Sequence, residues 1–273
     1  MVRAMMRDKA SQPPGDGAEP AERLVPFGFE RVPEPEKARR VRGVFERVSD
    51  RYDLMNDLMS GGIHRLWKQT MVDWLAPRPG LRLLDVAGGT GDIALRVIAR
   101  LGAGQAGRIV ICDLTPEMLE IGRGRAIDQG ILPGRAGSPH WVCADAEALP
   151  LADRSVEAYT IAFGLRNVTH IDAALAEARR VLKPGGRFLC LEFSRVAVPL
   201  VADLYDLYSF KVLPALGEWV AGDRDAYRYL VESIRKFPPQ DDLAALIAEA
   251  GFGQVRYRNL TGGIAALHSA WRL

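Results

Sequence analysis

Leu83-Leu84-Asp85-Val86 is a short apolar run with one acid in it, and it passes directly into Ala87-Gly88-Gly89-Thr90-Gly91-Asp92. Such a glycine-rich turn admits tight dihedrals and lets a ligand come up against bare backbone. Gly89, Gly91 and Ala94 satisfy a GxGxxA spacing, and Asp113 follows Gly91 by 22 residues at the end of a second apolar run, where a carboxylate can grip ribose hydroxyls. Asp145 ends a third run; its carboxylate can accept the exocyclic amine of adenine while Ala146 offers its backbone N–H. An adenosine cofactor is expected, and the charges select among such cofactors. A pyrophosphate needs the helix amino end free for its own negative charge, yet Asp92 stands there and Asp85 closes the preceding strand. The sulfonium and ammonium groups of S-adenosylmethionine favour nearby carboxylates. The competing readings are an Asp92 that simply caps its helix and an NAD(P)-dependent oxidoreductase.

These residues need a frame. Leu81 to Val86, Arg108 to Cys112, His140 to Cys143, Ala158 to Ala162 and Arg187 to Phe193 read as buried strands alternating with helical stretches, the pattern of an α/β, doubly wound parallel sheet. Gln254 to Asn259 and Ala265 to Trp271, parted by Thr261-Gly262-Gly263, read as a closing antiparallel pair. Ahead of the sheet, Val41, Val44, Phe45 and Val48 recur at helical spacing in a helix running from Glu36 to near Asp50, and Ile63 to Leu75 carries a second such pattern, broken by Pro77-Arg78-Pro79-Gly80. The expected organisation is a disordered tail over residues 1–26, N-terminal helices forming part of a substrate lid over 27–79, and a catalytic domain over 80–273. Gln240 to Ala250 is a crossover helix of that domain, and an aromatic-rich helical cap is inserted at about 196–238, over the carboxyl ends of the strands.

Composition narrows the function classes. Among 273 residues, 36 Lys and Arg against 34 Asp and Glu leave a net charge of +2, so no nucleic-acid partner is expected. Cys112, Cys143 and Cys190 show no CxxC spacing and are expected to be buried thiols; His64, His140, His170 and His268 form no ligand cluster, so no metal is expected. No signal peptide and no uninterrupted apolar run of about 18 residues is present, which makes the cytoplasm the default compartment.

Several longer segments then carry a resemblance: Tyr52-Asp53-Leu54-Met55-Asn56-Asp57, Gly62-Ile63-His64-Arg65-Leu66-Trp67-Lys68, the glycine loop itself, Phe163-Gly164-Leu165-Arg166-Asn167-Val168, Val181-Leu182-Lys183-Pro184-Gly185-Gly186 and Tyr227-Arg228-Tyr229-Leu230-Val231-Glu232-Ser233-Ile234. From about Phe27 to Leu273 the chain resembles the C-methyltransferases of ubiquinone and menaquinone biosynthesis. The resemblance implies a Rossmann-like class I methyltransferase fold, S-adenosylmethionine as cofactor and a polyprenyl hydroquinone as substrate. It sets Thr90, Asp113, Asp145 and Ala146 on cofactor contacts and Tyr52, Arg166 and Asn167 near the quinol; Ala162 departs from a serine common in the family. Cofactor residues expected overall are Asp85, Gly89, Thr90, Gly91, Asp113, Asp145 and Ala146.

Methylating a ring carbon needs the electron-rich hydroquinone, activated by loss of a phenolic proton whose ordinary pKa is about 10. Arg166 is expected to stabilise the phenolate, Asn167 to orient the ring oxygen, and Tyr52 or a water to relay the proton. A non-catalytic cofactor-binding subunit of a quinone-biosynthesis assembly is the competing reading of another class. The basic run Lys37, Arg39, Arg40 and Arg42 reads either as a solvated helix face or as a peripheral contact with anionic headgroups. Partner proteins and a homodimer are both compatible with the sequence.

Overall fold

The computed structural model describes residues 23–48, 57, 60–102, 104–196 and 224–273. Its centre is a seven-stranded sheet. The parallel strands are β3 (Leu83–Val86), β4 (Ile109–Asp113), β5 (His140–Cys143), β6 (Val156–Ala162) and β7 (Leu182–Phe193); β8 (Gly253–Leu260) and β9 (Ala265–Trp271) close it antiparallel, in the order β5-β4-β3-β6-β7-β9-β8. The chain therefore winds outward from β3 through β4 to β5 and then reverses to β6, so the loops leaving β3 and β6 diverge and open a crevice at the carboxyl edge. β3 is buried along its whole length, as a strand covered on both faces must be, whereas the edge strand β8 alternates between exposed and half-buried positions.

Helices cover both faces. Leu83, Ile109, Ile111, Leu189 and Leu191 turn toward α2 (His64–Leu75), α3 (Asp92–Leu101) and α6 (Arg224–Lys236), while Leu84, Val110, Tyr159 and Phe188 turn toward α5 (Ile171–Val181) and α7 (Gln240–Glu249). α3 shows why such a segment is helical: Ile93, Ala94, Leu95, Val97 and Ile98 form one buried stripe at three- and four-residue spacing. α4 (Pro116–Asp128) begins with proline at its first position, where the missing N–H costs nothing.

In front of the sheet lies a hairpin of β1 (Leu24–Phe27) and β2 (Glu30–Pro33), followed by α1 (Glu34–Val48). The hairpin takes up the last residues of the expected tail. Gly28 supplies the positive φ of its turn, and the ring of Phe27 stacks on Tyr229 of α6 at 4.3 Å. The thiols also differ from expectation in one case: Cys112 and Cys190 are buried but Cys143, near the sheet's edge on β5, is exposed. Tyr52 and most of the expected cap, including Tyr205, Tyr208, Phe210 and Trp219, lie outside the described residues.

Candidate active site

Two residues outside glycine carry positive φ where the crevice opens: Ala87 after β3 (48°) and Phe163 after β6 (58°). The two turns approach closely, for a Cβ on Gly164 would stand 2.3 Å from the Cβ of Ala87. The two loops interlock and then part around an open cleft of about 790 Å³, the solvent space at its mouth included. Val86, Ala87 and Gly89 form its floor; Asp113, Met118, Asp145, Ala146 and Glu147 form one wall; Phe163, Gly164, Asn167, Val168 and Thr169 form the other. α1 closes the top with Ala38, Val41, Arg42 and Phe45.

Asp113 joins its wall to the floor. Its Oδ2 accepts the N–H of Gly89 at 2.8 Å and its Oδ1 that of Thr115 at 2.9 Å, so the carboxylate and the glycine loop position each other. Burial raises its pKa, and these backbone donors pull it part of the way back. The Thr115 hydroxyl and the Leu114 N–H also favour its charged form. A side chain at Gly89 would touch Met118 at 3.1 Å, so only bare backbone leaves room for a ligand there. Asp145 closes an Asx turn onto the N–H of Glu147 at 2.9 Å. A floor left bare at Gly89, one acid at ribose distance in sequence and a second acid on the same wall fit an adenosine cofactor.

Of the expected cofactor residues, Gly89, Asp113, Asp145 and Ala146 line the cleft. Asp85 does not. It is 1% exposed within β3, accepts Thr160 Oγ1 at 2.7 Å and the N–H of Ala94 at 3.3 Å, and burial pushes its pKa up to about 7 against those hydrogen bonds. The Thr90 hydroxyl turns away from the cleft to accept Arg125 Nη1 at 3.0 Å, and Gly91 packs against the ring of Trp141. Asp92 faces away as well, held between Lys68 at 2.8 Å and Arg96 at 2.7 Å, whose charges overcome burial and lower its pKa. Two of the acids expected to discriminate between cofactors thus present no bare charge to the cleft.

The corner after β6 carries Arg166 and Asn167. Asn167 lines the cleft, and its Oδ1 accepts the Tyr229 hydroxyl at 3.2 Å, which turns the amide NH2 toward other acceptors. Arg166 is not on the cleft wall as a free cation. Its Nη1 donates to Glu192 Oε1 at 2.7 Å and to the Phe163 carbonyl at 2.6 Å, and its backbone N–H donates to Glu192 Oε2 at 3.2 Å. Glu192 is fully buried; burial pushes its pKa up and the guanidinium beside it pulls it back. Glu192, Glu147 and Met118 were not singled out in the sequence, and Tyr229 stood out only as part of the Tyr227 to Ile234 segment. Glu192 left a signal of its own, as a lone acid inside the apolar run Phe188-Leu189-Cys190-Leu191-Glu192-Phe193. The basic run on α1 is also partly spent: Lys37 is buried and Arg40 pairs with Glu36 and Glu30.

Comparison with known proteins decides the family, because the model of the ubiE/COQ5 methyltransferase family matches residues 34–272. The chain belongs to that family. A ubiE/COQ5 methyltransferase takes its methyl group from S-adenosylmethionine, which sets aside the oxidoreductase reading. The chain is 60% identical over 247 residues to the ubiquinone/menaquinone biosynthesis C-methyltransferase UbiE of Paracoccus denitrificans, covering 90% of this chain and 96% of that one. It is 57% identical over 249 residues to that of Brucella abortus, covering 90% of each. Among solved structures, a SAM-dependent methyltransferase from Thermotoga maritima superposes with a TM-score of 0.59 at 19% identity, over 85% of this chain and 100% of that one. The [4+2]-cyclase SpnF superposes with a TM-score of 0.62 at 16% identity, over 86% and 96%. These two share the fold, the class I methyltransferase sheet with its closing antiparallel pair. A cyclase on the same fold shows that the chemistry resides in the site.

Proposed function

We propose that this ubiE/COQ5 methyltransferase transfers a methyl group from S-adenosylmethionine to a ring carbon of a polyprenyl hydroquinone in ubiquinone or menaquinone biosynthesis. The observation that carries the reading is one continuous cleft with the Asp113 and Asp145 wall on one side and the Phe163 to Asn167 corner on the other, in a chain 57–60% identical to relatives named for this reaction. The cofactor supplies an electrophilic methyl group on a sulfonium. Asp113 holds the ribose hydroxyls, Gly89 keeps the floor bare, and Asp145 with the Ala146 N–H receives the adenine edge.

On the other wall Asn167 is the residue we assign to the ring oxygen. With its carbonyl taken by Tyr229, its amide NH2 donates to the oxygen that becomes phenolate, and this donor strengthens as charge develops. In this reading Arg166, neutralised by Glu192, braces the corner from behind. Tyr52 remains the proposed proton relay. The polyprenyl tail gains little on leaving a bilayer for a protein groove, so we place the reaction at a membrane surface; among the described residues no helix is long and apolar enough to cross one.

The test is anaerobic turnover with labelled S-adenosylmethionine and each reduced quinone, followed by mass analysis. Ring methylation is expected with dithionite present and none with the quinone kept oxidised. Asn167→Ala should bind cofactor normally and lose about 100- to 1,000-fold in single-turnover rate. Equal rates with oxidised quinone, or transfer to neither quinol, would overturn the reading.

A further inference from the structure

Three walls of the cleft meet in an ionic knot that the proposed chemistry does not use. Lys37 of α1 is 6% exposed and its Nζ donates to the carbonyl of Val168 at 2.9 Å. Burial lowers its pKa and Glu147 pulls it back up. Three residues earlier on α1, Glu34 Oε1 stands 3.3 Å from His170 Nε2. The other ring nitrogen, Nδ1, lies 2.7 Å from Glu147 Oε2, while Glu147 Oε1 accepts the backbone N–H groups of Thr169 at 2.8 Å and His170 at 3.0 Å. Glu147, Val168 and Thr169 line the cleft, and α1 contributes its top. One carboxylate therefore ties the loop after β5 to the loop after β6, one lysine ties α1 to the latter, and the His170 ring, bonded to Glu147, stands against Glu34 of α1 without a hydrogen bond to it. The knot lies at the end of the cleft that carries Asp145 and Ala146.

We propose that Lys37 and His170 are positioning residues that fasten α1 over the adenosine end of the cleft, and that opening this fastening sets how fast the spent cofactor leaves. The inference rests on the reading that S-adenosylmethionine fills the cleft. Ala38, Val41, Arg42 and Phe45 lie directly along α1 from Glu34 and Lys37, so freeing the start of the helix lifts the cover that they form. A ligand beneath such a cover exchanges only when the cover opens. The Lys37 ammonium donates from a buried position, where losing a charged donor has its largest effect, and the His170 ring sits between two carboxylates.

The experiment measures dissociation of S-adenosylhomocysteine by stopped-flow chase, alongside single-turnover methyl transfer at saturating cofactor. Lys37→Met, which keeps the length of the side chain, is expected to release S-adenosylhomocysteine about 10- to 100-fold faster and to methylate within about two-fold of wild type. His170→Ala should act in the same direction, and the double variant should fall short of the product of the two effects, since both break one device. Wild-type release in both variants, with native circular dichroism, would overturn the proposal; so would a melting temperature that falls while release stays unchanged. Asp113→Ala separates the two layers. If that variant keeps wild-type affinity for S-adenosylhomocysteine, the cofactor reading of the cleft is wrong and the fastening falls with it; if affinity drops, failure of Lys37→Met and His170→Ala belongs to the fastening alone.

Discussion

Asp85 is the residue whose chemistry differs most from its appearance in the sequence. Inside β3, with Thr160 and the Ala94 N–H as its partners, it holds its proton up to about pH 7, because burial disfavours the charge more than its partners favour it. In the unfolded chain it ionises near pH 4. Below that, both states are protonated and the group is neutral in its effect; as pH rises from about 4 to about 7, only the unfolded state gains by ionising, so this group's contribution to stability falls across that window and then levels off. Asp85→Asn removes the titration at the cost of one mismatched hydrogen bond, about 1 kcal/mol. Urea unfolding at pH 4, 5.5 and 7.5 should show the wild type's advantage over Asp85→Asn shrinking with rising pH; a constant difference would refute the shift. The sequence showed that an acid occupies this strand and that glycines follow it. It did not show which way the carboxylate points, because that depends on Thr160, 75 residues away, and the same distance problem hid Glu192 behind Arg166. That Gly89, Asp113, Asp145 and Asn167 face the cleft was legible because each lies at a strand end or turn, where the local pattern fixes the direction of the chain.

Between elements, the decisive contact is the interlock of the loops after β3 and β6. Gly164→Ala drives a methyl group to 2.3 Å from Ala87, and neither loop can yield without losing the positive φ that shapes it. The expected cost is about 1 to 3 kcal/mol, the usual range for overpacking. Ala87→Gly removes the opposing methyl group and accepts the positive φ more readily, so the double variant should recover most of the stability in a thermal melt; failure to recover would mean that the crowding lies elsewhere. At this scale the strands were the most legible parts, since buried parallel strands are short apolar runs in any context. β5 falls where the sequence places it, His140 to Cys143. β7 begins five residues earlier than expected, at Leu182, because the turn residues Lys183-Pro184-Gly185-Gly186 read as a break although the strand continues through them by way of an irregular register against β6. The hairpin β1–β2 escaped detection because its four-residue strands offer one buried valine each, Val25 and Val32, and take their stability from α1 and α6.

Across the whole molecule, the antiparallel closure binds the sheet to the helical layer through Arg272. Its Nη1 donates to the carbonyls of Arg179, Arg180 and Leu182, where α5 ends with carbonyls that lack intrahelical partners and a negative dipole, while its backbone N–H donates to the Gly186 carbonyl. Arg272→Ala should cost about 1.5 to 3 kcal/mol, read by calorimetry as a fall in melting temperature of about 3 to 12 °C; a fall under 1 °C would show that solvent replaces the guanidinium without loss. The doubly wound order and its closing pair were legible as a pattern of elements, since alternating strands and helices leave few topologies open. How Arg272 serves α5 was not, for a lone arginine after a strand has no local signature. The position of β9 between β7 and β8 also has a consequence for synthesis. β7 ends at Phe193 and its partner begins at Ala265, so a nascent chain carries an open, apolar strand edge while some 70 further residues are made, roughly 4 to 14 s at 5 to 20 residues per second. Through that interval Phe188, Cys190 and Phe193 have no partner strand on one side. On the ribosome the sheet therefore cannot close until β9 arrives, and through that interval β7 presents the open edge that proteins otherwise keep covered.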